Sequence, residues 1–265
     1  MTERIPAINS EQLQQQAREL KFYGLQAHWQ EIEQQHYPLL ASLLRWESDE
    51  RQQRSLQRRL NNARLGRFKS LAEFDWQWPE KIDQSAIHAL LQLDFLSTAS
   101  NIILIGGNGV GKSTIAQNLG HQAVLQGHTV LFTTAANMLN DLAAQDGDNA
   151  LRRRLKHYAH VQLLIIDEIG YLSYSNRHAD LLFEIINRRY EQGSTIVTTN
   201  RPFGEWNEVF PNAACVVSLI DRLVHHSEVI AIEGASYRMK EAQEQAAERQ
   251  RKTTKKQAGK KEAAK

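Results

Sequence analysis

The residues with the clearest capacity for chemistry run from Gly106 to Ser113. There Gly106-Gly107-Asn108-Gly109-Val110-Gly111-Lys112-Ser113 meets the spacing G-x-x-x-x-G-K-[ST]. Glycines at such positions let backbone N–H groups turn toward phosphate oxygens without a Cβ in the way, and a helix starting there adds its positive end. Lys112 would reach the β and γ phosphates, the Ser113 hydroxyl would ligate Mg2+, and Thr114 would extend the contacting stretch. The motif needs a strand before it and a helix after it, and the apolar run Ile102–Ile105 and the segment Thr114–Leu119 supply both. A glycine-rich turn with no ligand is the alternative, and these flanks weigh against it. ATP with Mg2+ is the expected cofactor pair.

A second group closes the apolar run Leu163-Leu164-Ile165-Ile166 with Asp167-Glu168. Two carboxylates at the end of a buried strand are costly unless they have work to do. Beside a phosphate loop, Asp167 would hold Mg2+ and Glu168 would orient and polarise the attacking water, making the chain a Mg-dependent ATPase. The competing role is a helix cap. A full strand, Thr129–Thr133, intervenes in sequence between loop and acids, which with Glu168 points to the additional-strand, catalytic-glutamate ATPases. Asn200 ends the β-branched run Ser194–Thr199 and could hold the lytic water or touch the γ phosphate; a turn before Arg201-Pro202 is the other use of an Asn. Arg222 is a candidate finger reaching a neighbouring subunit's γ phosphate, and Arg238 a second phosphate sensor. An Asp221/Arg222 surface pair competes with the finger reading. The candidate catalytic set is thus Lys112, Glu168, Asn200 and Arg222.

Positioning these groups takes a parallel sheet covered on both faces, because strands and helices alternate from residue 101 onward. The strands are expected at Ile102–Ile105, Thr129–Thr133, Leu163–Asp167, Thr195–Thr199 and Val229–Ile232. The helices are expected at Lys112–Gln126, Ala135–Ala144, Asp148–Tyr158, Ala179–Gln192 and Ser218–His226, with Gly127 and Gly193 as C-terminal caps. Residues 1–75 read as a helical domain of four segments, Gln12–Leu20, Tyr23–Gln34, Pro38–Trp46 and Glu50–Leu65. A connector follows, then a helix over Ser85–Gln92. In the connector Phe74, Trp76 and Trp78 alternate, which suits clamping it to an apolar surface, or base stacking. The expected division is 1–75, an ATPase domain at 76–239 and a basic, disordered tail at 240–265.

The chain has 265 residues and a net charge of only +2, so the distribution of charge says more than its sum. Arg51, Arg54, Arg58, Arg59, Arg64, Arg67 and Lys69 place seven cations and no acid within 51–69. Arg51, Arg54 and Arg58 share a helix face opposite Leu56, Leu60 and Ala63. Such a stripe binds phosphates or is a solvated face, and the pattern alone leaves both open. The same holds for Arg152-Arg153-Arg154-Lys156. The tail from Lys240 carries nine basic and four acidic residues, suiting nonspecific nucleic-acid contact or solubility. Cys215 is the single cysteine, which excludes an intramolecular disulfide and fits a reducing cytosol; a small core thiol is its ordinary role. No signal-like or membrane-length apolar run occurs, so a soluble cytoplasmic protein is expected, nucleoid-associated when on DNA.

Taken together, these segments resemble the IstB-type helper ATPases of bacterial insertion sequences, relatives of the DnaC and DnaI helicase loaders in the AAA+ superfamily. The likeness rests on Asn62-Ala63-Arg64 through Phe74-Asp75, Gly106–Ser113, Leu164–Gly170, Thr198–Trp206, Asp221-Arg222-Leu223 and Ser236-Tyr237-Arg238. Gly107-Asn108 stands where many relatives have proline, leaving the glycine and lysine positions intact. The resemblance implies an AAA+ core behind a small helical domain and a protein that binds ATP and self-assembles on duplex DNA with little sequence preference. It also implies presentation of that DNA to a partner transposase of the IstA type. A DnaC-like loader of a replicative helicase is the alternative. A small-molecule kinase would leave the basic regions and Glu168 without purpose, and a nucleotide-gated scaffold would hardly hydrolyse ATP.

Overall fold

The computed structural model describes residues 9–171, 174–210 and 213–246; the tail beyond residue 246 lies outside the described residues. The chain forms two compact units, one ending at Arg58 and the other beginning at Arg59. Residues 59–75, grouped with the helical domain on sequence grounds, therefore belong with the sheet. The reason is local: Ala63, Leu65 and Leu71 are buried, and the Gln117 and Asn118 side chains donate to the carbonyls of Leu65 (2.7 Å) and Lys69 (2.8 Å).

The first unit contains α1 (Ser10–Glu19) and α2 (Tyr23–Ala27), two single-turn 3-10 segments, and the beginning of α3 (Tyr37–Ala63). Its core gathers Leu13, Ala17, Leu20, Trp29 and Leu44, with Phe22, Leu25 and Tyr37 packed around them. Asn9 caps α1 by accepting from the Glu11 N–H at 2.9 Å. The two helices expected over 38–65 are one. The polar Glu47-Ser48-Asp49 stretch between them contains no glycine or proline, so nothing interrupts the backbone ladder. Conversely, the helix expected over 23–34 stops at Ala27 and continues as 3-10 turns.

The second unit opens with short helices α4 (Gln84–Leu90) and α5 (Asp94–Ser97). It then alternates through β1 (Asn101–Gly106), α6 (Lys112–Leu125), β2 (Val130–Thr134), α7 (Ala135–Ala143), α8 (Asp148–Ala159), β3 (Leu163–Ile169) and α9 (Asn176–Arg189). Beyond these come β4 (Ser194–Thr199), α10 (Trp206–Val209), α11 (Ala213–His225), β5 (Ser227–Ile232) and a helical stretch over 237–246. The five strands are parallel in the order β2-β3-β4-β1-β5. In β1, β3 and β4 the central residues are buried on both faces, which is why they read as unbroken apolar or β-branched runs, whereas edge strand β5 leaves Val229 exposed. The strand inserted in space between β1 and the acidic β3 is β4; Thr129–Thr133, inserted in sequence, corresponds to β2 at the far edge. Consequently the ends of β1, β4 and β3 meet along one edge of the sheet, where ligands bind in open parallel sheets.

Gly127 does cap α6 in the left-handed region (φ +98°), but α9 turns at Glu191 (φ +57°), two residues before the glycine expected to do so. Gly193 serves close approach instead: a Cβ there would lie 3.1 Å from the Arg189 guanidinium. That guanidinium is buried and bonded to the carbonyls of Ala159 (2.9 Å), Val161 (2.7 Å) and Ser194 (2.5 Å), stapling the end of α8 to the start of β4. Among the described residues no helix is long and apolar enough to cross a membrane.

Candidate nucleotide site

The loop from Gly106 to Gly111 leaves β1 and enters α6 through Gly109 (φ +78°) and Gly111 (φ +104°), a region that residues with a Cβ rarely adopt. Space excludes larger residues as well. A Cβ on Gly109 would stand 2.2 Å from Ser236 Oγ, and one on Gly111 would stand 2.5 Å from the Phe74 ring. Gly111 is also the N-cap of α6 and has no side chain to satisfy the first-turn N–H groups, which therefore remain for an anion. Lys112, 9% exposed, donates to the carbonyls of Gly106 (2.7 Å) and Gly107 (2.6 Å). Burial depresses its pKa below the ordinary lysine value; Asp167 and Glu168 oppose that shift, and the nearby Arg238 adds to it. An arriving polyphosphate would offer this ammonium a stronger partner than two carbonyls.

Across the loop, Ser113 donates to Asp167 Oδ1 at 2.9 Å, and Asp167 is 5% exposed. The register between β3 and β4 slips here: Ile166 pairs with Val197 and Ile169 with Thr199. Asp167 and Glu168 together thus oppose the single residue Thr198, a β-bulge of the kind that re-aims side chains near active sites. Glu168 adopts φ +63°, a conformation costing about 1–3 kcal/mol for a residue with a side chain, and its carboxylate is exposed toward the cavity. Thr198 holds the distortion in place. Its hydroxyl donates to Asp167 Oδ1 at 2.5 Å and accepts the Glu168 N–H at 2.9 Å.

These elements face a cavity of about 450 Å³ lined by the loop from Asn108 to Thr114, by Glu168 and Asn200, and by Arg238. Asn200 Oδ1 is buried and has no hydrogen-bond partner among the described residues, so an acceptor is held ready at the cavity wall. The far wall comes from the connector and the segment after β5: Arg67, Phe68, Phe74, Trp78 and Tyr237. That wall is tied together closely. Tyr237 donates its N–H to Gly109 O (3.0 Å), Trp78 Nε1 donates to Ala235 O (2.8 Å), and Lys240 pairs with Asp75 (3.1 Å) while lying 4.3 Å over the Trp78 ring. The aromatic alternation at 74–78 therefore does clamp the connector, and Phe74 and Trp78 also line the cavity; Trp76 packs on Phe74 (4.7 Å) and His88 (5.2 Å). Three features fit a nucleoside triphosphate with Mg2+: a cradle that any Cβ would fill, an orphaned acceptor, and the hard oxygen donors Ser113 and Asp167.

The family model for IstB-like ATP-binding proteins matches residues 8–246. This chain belongs to the IstB-like ATP-binding protein family. An IS21 insertion-sequence ATP-binding protein of Pseudomonas aeruginosa is 40% identical over 202 residues, covering 76% of each chain. An IS5376 counterpart from Geobacillus stearothermophilus is 36% identical, covering 76% of this chain and 80% of its own. Among solved structures, DnaI superposes with a TM-score of 0.53 at 17% identity, covering 62% of this chain and 90% of DnaI. The replication initiator DnaA, solved with AMPPCP and single-stranded DNA, gives 0.52 at 21%, covering 68% of this chain and 54% of that one. The fold of this IstB-like chain is accordingly the α/β fold it shares with DnaI and DnaA, a five-stranded parallel sheet preceded by a helical region.

The remaining candidate residues of the IstB-like chain lie away from the cavity or are engaged in unexpected ways. Arg222 does not line it; on α11 the guanidinium stacks 4.7 Å over Phe183, and its buried Nη1 has no partner among the described residues. The stripe at 51–58 is less bare than its own window suggests, because acids one turn earlier fall outside that window. Arg51 pairs with Glu47 (2.5 Å) and donates to Leu20 O (2.6 Å), and Arg54 pairs with Glu50 (2.6 Å). Arg58 is exposed, while Arg59 donates to Val124 O at 3.3 Å. Arg67 and Lys69 line the cavity, where Lys69 pairs with Glu241 and lies 5.5 Å over the Tyr237 ring. On α8, Arg154 is held by Asp141, which also accepts from Tyr158 at 2.7 Å, whereas Arg152 and Arg153 are exposed. Burial, then the charges of Arg154 and Arg64, push His157 below the usual imidazole range. Burial likewise raises the Cys215 thiol, away from nucleophilic use. Thr198 and Ser236 lie inside segments that carry the family resemblance, but the motifs give neither residue a role, and no motif points to the Lys240–Asp75 clamp. A hydroxyl inside a β-branched strand gives no sign of which carboxylate it will meet.

Proposed function

We propose that this protein is an ATP-hydrolysing assembly switch of an insertion sequence. In the ATP state it would self-associate on duplex DNA with little sequence preference and present that DNA to a partner transposase. The observation that carries this reading is the division of the hydrolytic apparatus. Lys112, Glu168 and Asn200 line one cavity and Asp167 is bonded to its Ser113, while Arg222 on α11 stands outside it and would have to act on a neighbouring subunit.

In this reading the phosphate loop and Lys112 bind the β and γ phosphates and the connector aromatics meet the base. Ser113 and Asp167 would hold Mg2+, which would neutralise charge on the β and γ oxygens. Glu168 takes a proton from a water held with Asn200. That water's oxygen bonds to the γ phosphorus as the bond to the β–γ bridging oxygen breaks, giving ADP and phosphate. Arg222 from the neighbour, with Arg238 in the same chain, offsets the charge that develops. DNA binding falls to the exposed cations Arg58, Arg64, Arg152 and Arg153 first, since Arg51, Arg54 and Arg154 already have carboxylate partners. The relatives are named for insertion sequences, which supports a transposase as the partner.

Mass photometry of Glu168→Gln with ATP on matched duplex and single-stranded oligonucleotides tests the reading. Large complexes on duplex with ATP and not with ADP are expected. Preference for single strands, without stimulation of a transposase encoded beside this chain, would instead indicate a helicase loader.

A further inference from the structure

Thr198 is fully buried in the middle of the sheet, two residues before Asn200, and its hydroxyl both donates and accepts. It donates to Asp167 Oδ1 at 2.5 Å and accepts the Glu168 N–H at 2.9 Å, while Ser113 donates to the same Asp167 oxygen at 2.9 Å. We infer that Thr198 is a positioning residue for hydrolysis, a one-hydroxyl clip that fixes both acids of the bulge at once. This inference rests on the reading of Asp167 and Glu168 as the catalytic acids.

Geometry and hydrogen-bond supply both lead there. A bulge leaves the extra residue outside the normal strand ladder, so the backbone N–H of Glu168 needs a partner from elsewhere. Thr198 lies opposite the bulge and provides it. The same hydroxyl has one proton to give, and Asp167 Oδ1 receives it. Asp167 is thereby kept facing Ser113, and Glu168 is kept in the left-handed conformation that aims its carboxylate into the cavity. Valine has the same shape and β-branching but neither donates nor accepts. It would leave the Glu168 N–H without its partner and allow the strained residue to relax toward an ordinary strand conformation, turning its carboxylate away. Serine would preserve the clip and lose only a methyl group. A purely structural threonine predicts the opposite ranking, because the methyl group then matters and the hydroxyl does not.

The test compares Thr198→Val and Thr198→Ser with wild type in steady-state ATP hydrolysis and in equilibrium binding of a fluorescent ATP analogue, after thermal unfolding has shown each to be folded. For Thr198→Val, kcat should fall about ten- to a hundredfold, the loss expected for a hydrogen bond to a charged group, while analogue affinity changes less than about threefold. Thr198→Ser should stay within about threefold of wild type in both. Should the valine variant be unfolded, Thr198→Ala removes the same hydroxyl and takes its place. Wild-type turnover without the hydroxyl, or equal losses in the serine and hydroxyl-free variants, would overturn the inference. Glu168→Gln, measured in parallel, separates the two levels: if it hydrolyses ATP normally, the assignment of the acids fails, whereas an inactive Glu168→Gln beside an active Thr198→Val rejects the clip alone.

Discussion

At the scale of single residues, the site is made from groups whose ordinary preferences are overridden. A lysine is buried against two carbonyls, a glutamate takes a glycine-like φ, and an asparagine oxygen has no partner among the described residues. Each departure would cost free energy in the absence of ligand, and each is aimed at the same cavity. Removing Lys112 should therefore be severe and specific: Lys112→Ala is expected to weaken ATP binding at least about a hundredfold, measured by analogue fluorescence, because a buried site would lose its charge-assisted bond to phosphate. Glu168→Gln should leave that affinity nearly intact and reduce kcat by about a hundredfold or more, the contribution expected of a positioned general base. Normal turnover in Glu168→Gln would remove the base from the account. Lys112, Asp167 and Glu168 are legible in the sequence because their neighbours are fixed by motif spacing. Thr198 is not, since its partners lie 30 and 31 positions away across a bulge that no local pattern announces.

At the scale of elements, two devices position the site. The first is the connector clamp, in which Phe74, Trp78 and Tyr237 wall the cavity while Lys240 and Asp75 fasten connector to C-terminal segment. Phe74→Ala should raise the Kd for ATP about three- to tenfold with little change in kcat, the scale of one aromatic contact; an unchanged Kd would mean that the ring serves packing against Gly111 alone. The second is Arg189, whose guanidinium serves carbonyls at the end of α8 and the start of β4, and whose pKa burial depresses to about 10. Arg189→Ala would leave several buried carbonyls unsatisfied and should destabilise the fold by about 3 kcal/mol or more, readable in urea unfolding. Strand positions are readable in the sequence to within about two residues, because strands buried on both faces announce themselves as apolar or β-branched runs. The order of strands is not, because periodicity says nothing about which strand enters between β1 and β3. Helix ends in the first unit are poorly legible for a related reason: its polar, glutamine-rich segments carry few start or stop signals.

At the scale of the whole molecule, charge is sorted by availability and not by count. Seven cations lie between Arg51 and Lys69 in sequence, yet Glu47, Glu50 and Glu241 already engage three of them. Neutralising Arg152 and Arg153 should weaken duplex binding and reduce the slope of log K against log salt by about 0.9 for each phosphate no longer neutralised. An unchanged slope would return α8 to an ordinary solvated face. Hydrolysis is expected to belong to the assembly, with one chain supplying Lys112, Glu168 and Asn200 and its neighbour supplying Arg222. Mixing two inactive variants tests this most directly. Arg222→Ala keeps its own acids and lacks the finger, and Glu168→Gln keeps the finger and lacks the base. Measured on duplex DNA with saturating ATP, each alone should be nearly inert, and the mixture should recover turnover that rises and then falls with their ratio. Turnover in the mixture no greater than the sum of the two separate variants would contradict a site completed between subunits.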